Sequence, residues 1–385
     1  MHLAVLTGGG DVPGLNAAIK AIVNEASART WKVTGFRRGW SGPLNYNTDD
    51  PEGSRDWVAA LRPDVVRHID RTGGTVLHTT RTNPSNVRAA DLPAFLASRY
   101  PTTGETDRVD CTDHVLAVLN ALKIDVLIAI GGDDTLSYGA RLHREGVPTL
   151  CIPKTMDNDV FGTDYCIGFS TCVNRSVDFI NRLRTPAGSH ERFLVVEMFG
   201  RNSGESALIT GYLADVDRTL IAEVPFDVDK VARLLAEDRA RNSSSYAIVV
   251  VSEGASLEGG EIIESGETDA FGHRKLGGIG PMVGDALKAH TGVNVMTQNL
   301  AYLVRAGAPD AMDLMVGRNF GTMAIQLIED GKVGLMTAIQ DGRYTTEPAD
   351  ICTKGKRSVD VDAMYDVDAY RPRIVEVSGM PMFLK

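Results

Sequence analysis

Cysteine is scarce in this sequence and badly placed for cross-linking. The five cysteines (Cys111, Cys151, Cys166, Cys172 and Cys352) are odd in number, scattered, and never spaced as a CxxC pair. That pattern argues against a disulfide framework and against a zinc site, so a reducing, cytoplasmic setting is expected. Long apolar runs are missing as well. None reaches the ~18 residues of a transmembrane helix, and the N-terminus carries no signal-peptide pattern. A basic excess is also absent: Lys plus Arg is 40 against 50 for Asp plus Glu, a formal net charge of −10. A general nucleic-acid or membrane-surface binder is therefore not expected. There is no internal repeat and no low-complexity tract.

What is present is ordinary globular composition, 43% hydrophobic and 23% charged over 385 residues. At ~150 residues per domain, that length suggests two to three domains. Glycine is the one surplus: 39 of 385 residues, about one in ten against a usual ~7%. Such an excess asks for tight turns, or for places where backbone approaches a ligand.

Short apolar runs alternate with helix-length amphipathic segments. HLAVLT (2–7) reads as a first strand and leads through glycines into a helix in which Leu15, Ala18, Ile19, Ile22 and Val23 share a face, with Pro13 in its first turn. A helix is expected over 109–123, and strands over 125–130, 149–153 and 193–199. A further helix is expected over 228–241 and a buried strand over 246–254. This order predicts βαβ crossovers and mostly parallel sheets covered by helices on both faces. Residues 255–280, rich in glycine and charge, read as a long surface loop or hairpin. The terminal PMFLK is expected to pack against the body.

Three strand-end motifs share one position, and ligands of open parallel sheets bind beyond the carboxyl ends of the strands. LTGGGDVPG (6–14) sets glycines between a strand and a helix N-terminus. A phosphate cradle and a tight βα turn fit that run equally, and it is neither a P-loop nor GxGxxG. IAIGGDDTL (128–136) repeats the arrangement with Asp133 and Asp134. Paired acids there suit Mg²⁺, although aspartate is also a favoured helix N-cap. CIPKTMDNDVFGTD (151–164) crowds Lys154, Asp157 and Asp159 at a strand end. Phosphoryl transfer uses that mixture: a carboxylate to take a hydroxyl proton, and cations to stabilise the moving charge.

With these residues in hand, the sequence resembles the phosphofructokinase family. GGDVPGLNAAIK (9–20), GGTVLHTTR (73–81), GGDDTL (131–136) and PKTMDND (153–159) match in order, followed by RFLVVEMFGRNSG (192–204), VVSEGA (250–255) and YLVRAGAP (302–309). The resemblance implies two doubly wound α/β domains with the active site in the cleft between them. Residues 1–168 plus 305–352 would bind the donor, and 169–304 plus 353–385 the sugar phosphate. The chain would cross over near 168, return near 305 and cross again near the C-terminus.

The resemblance further implies that Asp157 takes the proton of a sugar 1-hydroxyl beside Thr155, that Asp159 supports it, and that Asp133 holds Mg²⁺. Gly10 would offer its N–H to the donor phosphate, with Arg81 near the donor. Arg201 would stabilise the moving phosphoryl group, with Phe199 and Gly200 beside it, and Glu253 would bond the sugar hydroxyls. Arg192, Tyr302 and Arg305 would bind the sugar phosphate, and in the family one such arginine comes from a neighbouring subunit. A homodimer or homotetramer is therefore implied.

Donor choice turns on two positions. ATP-using members read GGDG and PGT where this chain has Asp134 and Lys154, and in the family that combination marks pyrophosphate use. A carboxylate at 134 adds bulk and like charge where a nucleotide's α-phosphate would lie, and Lys154 adds a cation for a smaller donor. The expected reaction is reversible, Mg²⁺-dependent phosphorylation of fructose 6-phosphate by pyrophosphate, in glycolysis or gluconeogenesis.

The alternatives are ATP as donor, or another sugar phosphate, sugar or polyol as acceptor. Outside catalysis, the alternatives are a regulatory subunit and a nucleotide sensor. A regulatory subunit is opposed by the presence of Asp133, Asp157, Asp159 and Arg201, and a nucleotide sensor by Asp134. The chain departs from the family where Met296 replaces an arginine of the phosphate clamp and Tyr302 a histidine. Basic positions of allosteric bacterial members fall at Lys20 and Asn24, so effector control is not implied.

Overall fold

A computed structural model describes residues 1–104, 106–260, 264–265 and 275–380. Its first sheet has seven strands: β1 (His2–Thr7), β2 (Lys32–Phe36), β3 (Val58–Leu61), β4 (Val126–Gly131), β5 (Thr149–Pro153), β10 (Leu335–Gln340) and β11 (Arg343–Pro348). They lie in the order β11-β10-β5-β4-β1-β2-β3. The five central strands from β10 to β2 are parallel and each edge strand is antiparallel. A second sheet of four strands, β6 (Phe193–Met198), β7 (Arg218–Leu220), β8 (Ala247–Ser252) and β9 (Val295–Asn299), runs in the order β9-β6-β8-β7. It is parallel throughout.

The period of two along these strands decides what covers each face. Leu3 and Val5 of β1 pack with α1 (Leu15–Ala28) and with α8 (Ala311–Glu329), while Ala4 and Leu6 face α2 (Thr112–Ala121) and α3 (Asp133–Arg144). In the second sheet Leu194 and Val196 join the α1/α8 core together with α4 (Phe169–Ser189), so one apolar core runs between the two sheets. Phe193 and Val195 face the other way, toward α6 (Val228–Arg241) and α7 (Ile279–Thr291). Remaining between β6 and β7 is α5 (Glu205–Leu213).

Helix α8 lies hard against α1 because Gly317 and Gly321 present no side chains there. A Cβ at Gly317 would stand 2.7 Å from the Gly14 carbonyl oxygen, and one at Gly321 2.6 Å from that of Ala18. Any larger residue would push the helices apart.

Most sequence-read elements fall within one to three residues of their expected ends. Pro13 is a correction: α1 begins at Leu15 behind Gly14, whose φ of 107° makes the turn, so the proline precedes the helix. The Asp pair also differs from one reading, since Gly132 is the N-cap of α3 and both Asp133 and Asp134 lie in its first turn. In the 255–280 stretch, Glu264–Ser265 and Lys275–Leu276 pair antiparallel, as in a hairpin. Residues 261–263 and 266–274, and the terminal PMFLK, lie outside the described residues. Before that terminus the chain docks on the second sheet: the Tyr365 hydroxyl donates to the Thr219 carbonyl at 2.6 Å. Among the described residues no helix is long and apolar enough to cross a membrane.

Candidate active site

The carboxyl ends of β1, β4 and β5 from the first sheet, and of β6, β8 and β9 from the second, open on one cavity of about 740 Å³. Gly9, Gly10, Arg81, Asp133, Asp134, Lys154, Thr155, Asp157 and Asp159 line it from one side. Phe199, Arg201, Glu253, Tyr302 and Arg305 line it from the other. The three strand-end motifs and the second-sheet motifs therefore meet.

The first-sheet wall is built on backbone. The Gly8 N–H bonds the Ile130 carbonyl at 2.9 Å and the Gly9 N–H that of Thr80 at 3.1 Å, which fixes the glycine loop between neighbouring chain ends. Lys154 is buried and donates from Nζ to the Gly10 carbonyl oxygen at 2.7 Å. Burial, aided by the positive charges of Arg305 and Arg81, lowers its ammonium to about 8. Asp133 and Asp134 sit where the α3 dipole favours anions. The Asp133 carboxylate pairs with the Lys356 ammonium, while its Oδ1 is buried with no hydrogen-bond partner.

The loop after β5 carries the acids. Asn158 adopts the left-handed conformation, φ 55°, between Asp157 and Asp159. Asparagine tolerates that region better than most residues. Its amide is held on both sides: Nδ2 donates to the Asp164 carbonyl and to Glu205 Oε1 at 3.0 and 3.1 Å, and Oδ1 accepts from the Cys166 N–H at 2.7 Å. Both flanking aspartates consequently reach the cavity. Burial and the neighbouring charges of Asp159 and Glu253 push the Asp157 carboxyl well above the usual carboxylate range, opposed by the backbone N–H and charge of Arg201. Asp159 is also raised by burial, against bonds from Asn202 and Thr155. Asn202 Nδ2 reaches Asp159 Oδ2 at 3.2 Å.

On the second-sheet wall, Gly200 has φ 141° and no room for a side chain: a Cβ would meet Ser252 Oγ at 2.5 Å. That turn carries Phe199 and Arg201 to the cavity. The Glu253 N–H bonds the Met198 carbonyl at 2.8 Å, and burial raises its carboxyl to about 7 against the pull of Arg201. Arg305 stacks on Tyr302, 4.5 Å from guanidinium carbon to ring centre, and pairs with Asp11 at 3.6 Å. Asn299, beside them, donates to Glu197 at 2.6 Å, and Glu197 in turn accepts from the first N–H groups of α7.

Two sequence-named positions lie elsewhere. Arg192 precedes β6, at the end opposite Phe199, so the length of a strand separates it from its own cavity. Met296 is inside β9, paired with Leu194 and packed on the core. Conversely, Asp11, Asn202, Asn299 and Lys356 line the cavity without having been singled out. Lys356 lies in a segment with no periodicity, where the one signal that could have drawn attention to it is the Lys-Gly-Lys-Arg run of 354–357.

The residues present suit a magnesium ion. Among the described residues no group of three or more His, Cys, Asp or Glu side chains forms a closed metal cage. Mg²⁺ is typically held by one or two carboxylates plus substrate phosphates, and the buried, unpartnered Asp133 Oδ1 is an oxygen of the kind such an ion takes.

Comparison with known proteins bears on the family and the fold. A profile described as Phosphofructokinase matches residues 2–328. The chain is 39% identical over 343 residues to a pyrophosphate--fructose 6-phosphate 1-phosphotransferase of Amycolatopsis methanolica, covering 88% of this chain and 91% of the relative. It is 35% identical to an ATP-dependent 6-phosphofructokinase of Chloroflexus aurantiacus, covering 91% of each. Among solved structures, a pyrophosphate-dependent phosphofructokinase from Marinobacter aquaeolei superposes with TM-score 0.73 at 19% identity, covering 100% of this chain and 98% of that one. Phosphofructokinase from Saccharomyces cerevisiae gives 0.73 at 22%, covering 92% of this chain and 45% of that one. The expected α/β fold and phosphotransferase class are borne out, and this chain belongs to the phosphofructokinase family.

Proposed function

We propose that the chain transfers a phosphoryl group reversibly between pyrophosphate and the 1-hydroxyl of fructose 6-phosphate, a cytoplasmic step of glycolysis or gluconeogenesis. What supports this reading above all is the presence of both Asp134 and Lys154 on the first-sheet wall of the cavity. Lys154 is buried against the Gly9–Gly10 loop, 2.7 Å from the Gly10 carbonyl, and offers its charge to a compact donor. Asp134 opposes a nucleotide's longer phosphate chain by bulk and like charge.

In this reading Asp157 accepts the proton of the 1-hydroxyl as that oxygen forms its bond to phosphorus. The bridging P–O bond of pyrophosphate breaks, and inorganic phosphate leaves. A carboxyl raised by burial is a better-matched base for an alcohol than an ordinary aspartate. Asp159 holds the loop's charge arrangement, and Thr155 lines the acceptor pocket. Arg201 stabilises charge on the moving group. Gly10 and Arg81 position the donor, while Phe199, Gly200, Glu253, Tyr302 and Arg305 position the sugar phosphate. Mg²⁺, held by Asp133 with donor oxygens, would neutralise developing charge.

Residues 1–168 with 305–352 would form the donor unit, and 169–304 with 353–385 the sugar-phosphate unit. Arg192, remote from its own cavity, would serve the site of a neighbouring copy, so we propose a homodimer or homotetramer. ATP as donor is the second reading, favoured by relatives such as the ATP-dependent enzyme at 35% identity. Assaying purified protein with each donor separates the two readings. Turnover with pyrophosphate is expected, and turnover with ATP alone would overturn the proposal.

A further inference from the structure

The segment after β11 delivers a lysine to the cavity on a built support. Val160 and Lys356 form an antiparallel bridge, and the Arg357 N–H donates to the Asp159 carbonyl at 3.0 Å. The Arg357 guanidinium turns inward, where it donates to the Asn158 carbonyl at 3.0 Å and pairs with buried Glu205. The strap continues to Val359, whose N–H bonds Glu223 Oε1 at 2.9 Å. Lys356 is thus tied to the loop that carries Asp157, and its side chain points the other way, to the Asp133 carboxylate.

We infer that Lys356 is a donor-binding residue, whose ammonium contacts a phosphate of the donor beside Asp133. This rests on the pyrophosphate reading. An ordinary surface ion pair joins two solvated, mobile side chains and is worth little. Here the acid is only 13% exposed, and although the lysine side chain is 44% exposed, its backbone is fixed in a bridge, so the stem starts from a set point on the cavity wall. Two adjacent acids, Asp133 and Asp134, would otherwise repel a compact polyanion from this wall. Lys154 reaches the cavity by the glycine loop and Lys356 by α3, so cations from two separate segments serve one donor. Lysine suits the task, since its point charge can move from carboxylate to phosphate by rotation of a flexible stem.

The test compares Lys356→Met and Lys356→Arg with the unaltered enzyme. Binding of magnesium pyrophosphate, without sugar phosphate, is followed by calorimetry, and KM is measured for both substrates. Losing one charge-assisted bond should raise Kd and KM for pyrophosphate about 10- to 100-fold in Lys356→Met. KM for fructose 6-phosphate should stay essentially unchanged, and Lys356→Arg should recover most of the loss. Unchanged pyrophosphate binding in Lys356→Met, or an equal loss for both substrates, would overturn the assignment. If the unaltered enzyme uses ATP and not pyrophosphate, it is the donor reading that fails.

Discussion

The ammonium of Lys154 donates to the carbonyl oxygen of Gly10 at 2.7 Å, which ties the loop after β5 to the loop after β1 across the strand ends. One side chain thereby joins two motifs 144 residues apart. Its charge is held in a buried, cation-flanked place and is lost at lower pH than an ordinary lysine's.

A pH profile should register that position. With its ammonium lowered to about 8, Lys154 sheds its charge in the free enzyme above that pH. The alkaline limb of kcat/KM for pyrophosphate is expected to fall near there, because that parameter reports the free enzyme. Bound pyrophosphate favours the charged form, so the limb in kcat should lie higher. Lys154→Arg should remove the limb from the measured range.

Replacing Asp157 by asparagine should separate stability from activity. The folded protein raises this carboxyl, so it binds the proton more tightly than the unfolded chain does. Stability from that preference is complete below the ordinary carboxylate range and is lost as pH rises through the raised value. Asp157→Asn should therefore melt higher than the parent at pH 8, with the gap closing toward acid. Turnover should fall by about 10²- to 10⁴-fold, as for loss of a general base.

Donor choice has its own variant. Asp134→Gly with Lys154→Gly should lower pyrophosphate-dependent turnover about 100-fold or more, the scale of removing a preorganised charge from the reacting group. Steady-state rates with both donors would check this. Unchanged pyrophosphate turnover would show that the two residues do not set the donor.

Much of the fold was legible because strand and helix periods are local. Leu3 and Val5 point one way, Ala4 and Leu6 the other, and the alternation needs no distant partner to be read. The site was legible where a motif follows a strand end, since βαβ topology brings all such ends together. Lys356 was not, because its position depends on Arg357 reaching Glu205 across 152 residues of chain. The left-handed turn at Asn158 was equally hidden: one asparagine among polar neighbours carries no pattern, and its bonds run to Glu205 and Cys166. Arg192 shows the opposite limit, a family position that its own chain keeps away from the cavity.

The Asn158 turn should be expensive to alter. Asn158→Ala places a residue less suited to φ 55° and strips buried bonds to Glu205 and Cys166. We expect a loss of about 2–4 kcal/mol in urea unfolding, combining left-handed strain with unsatisfied buried groups. In the fraction that folds, kcat should drop more than KM for either substrate, because the turn aims Asp157 rather than binding substrate.

Arg192 offers a test of shared sites that a single variant cannot give. Its own β6 separates it from its own cavity, so its proposed phosphate contact needs a second copy. Arg192→Ala should raise KM for fructose 6-phosphate about 10- to 100-fold, the scale of one charge-assisted bond. Asp157→Asn should be nearly inactive. In a mixed oligomer, the Arg192→Ala chain keeps its Asp157 and receives Arg192 from the Asp157→Asn chain, which restores one complete site. Co-expressing the two should thus recover high-affinity turnover that neither variant shows alone. If the mixture behaves only as the sum of its parents while native electrophoresis shows hybrids, Arg192 does not act across the interface.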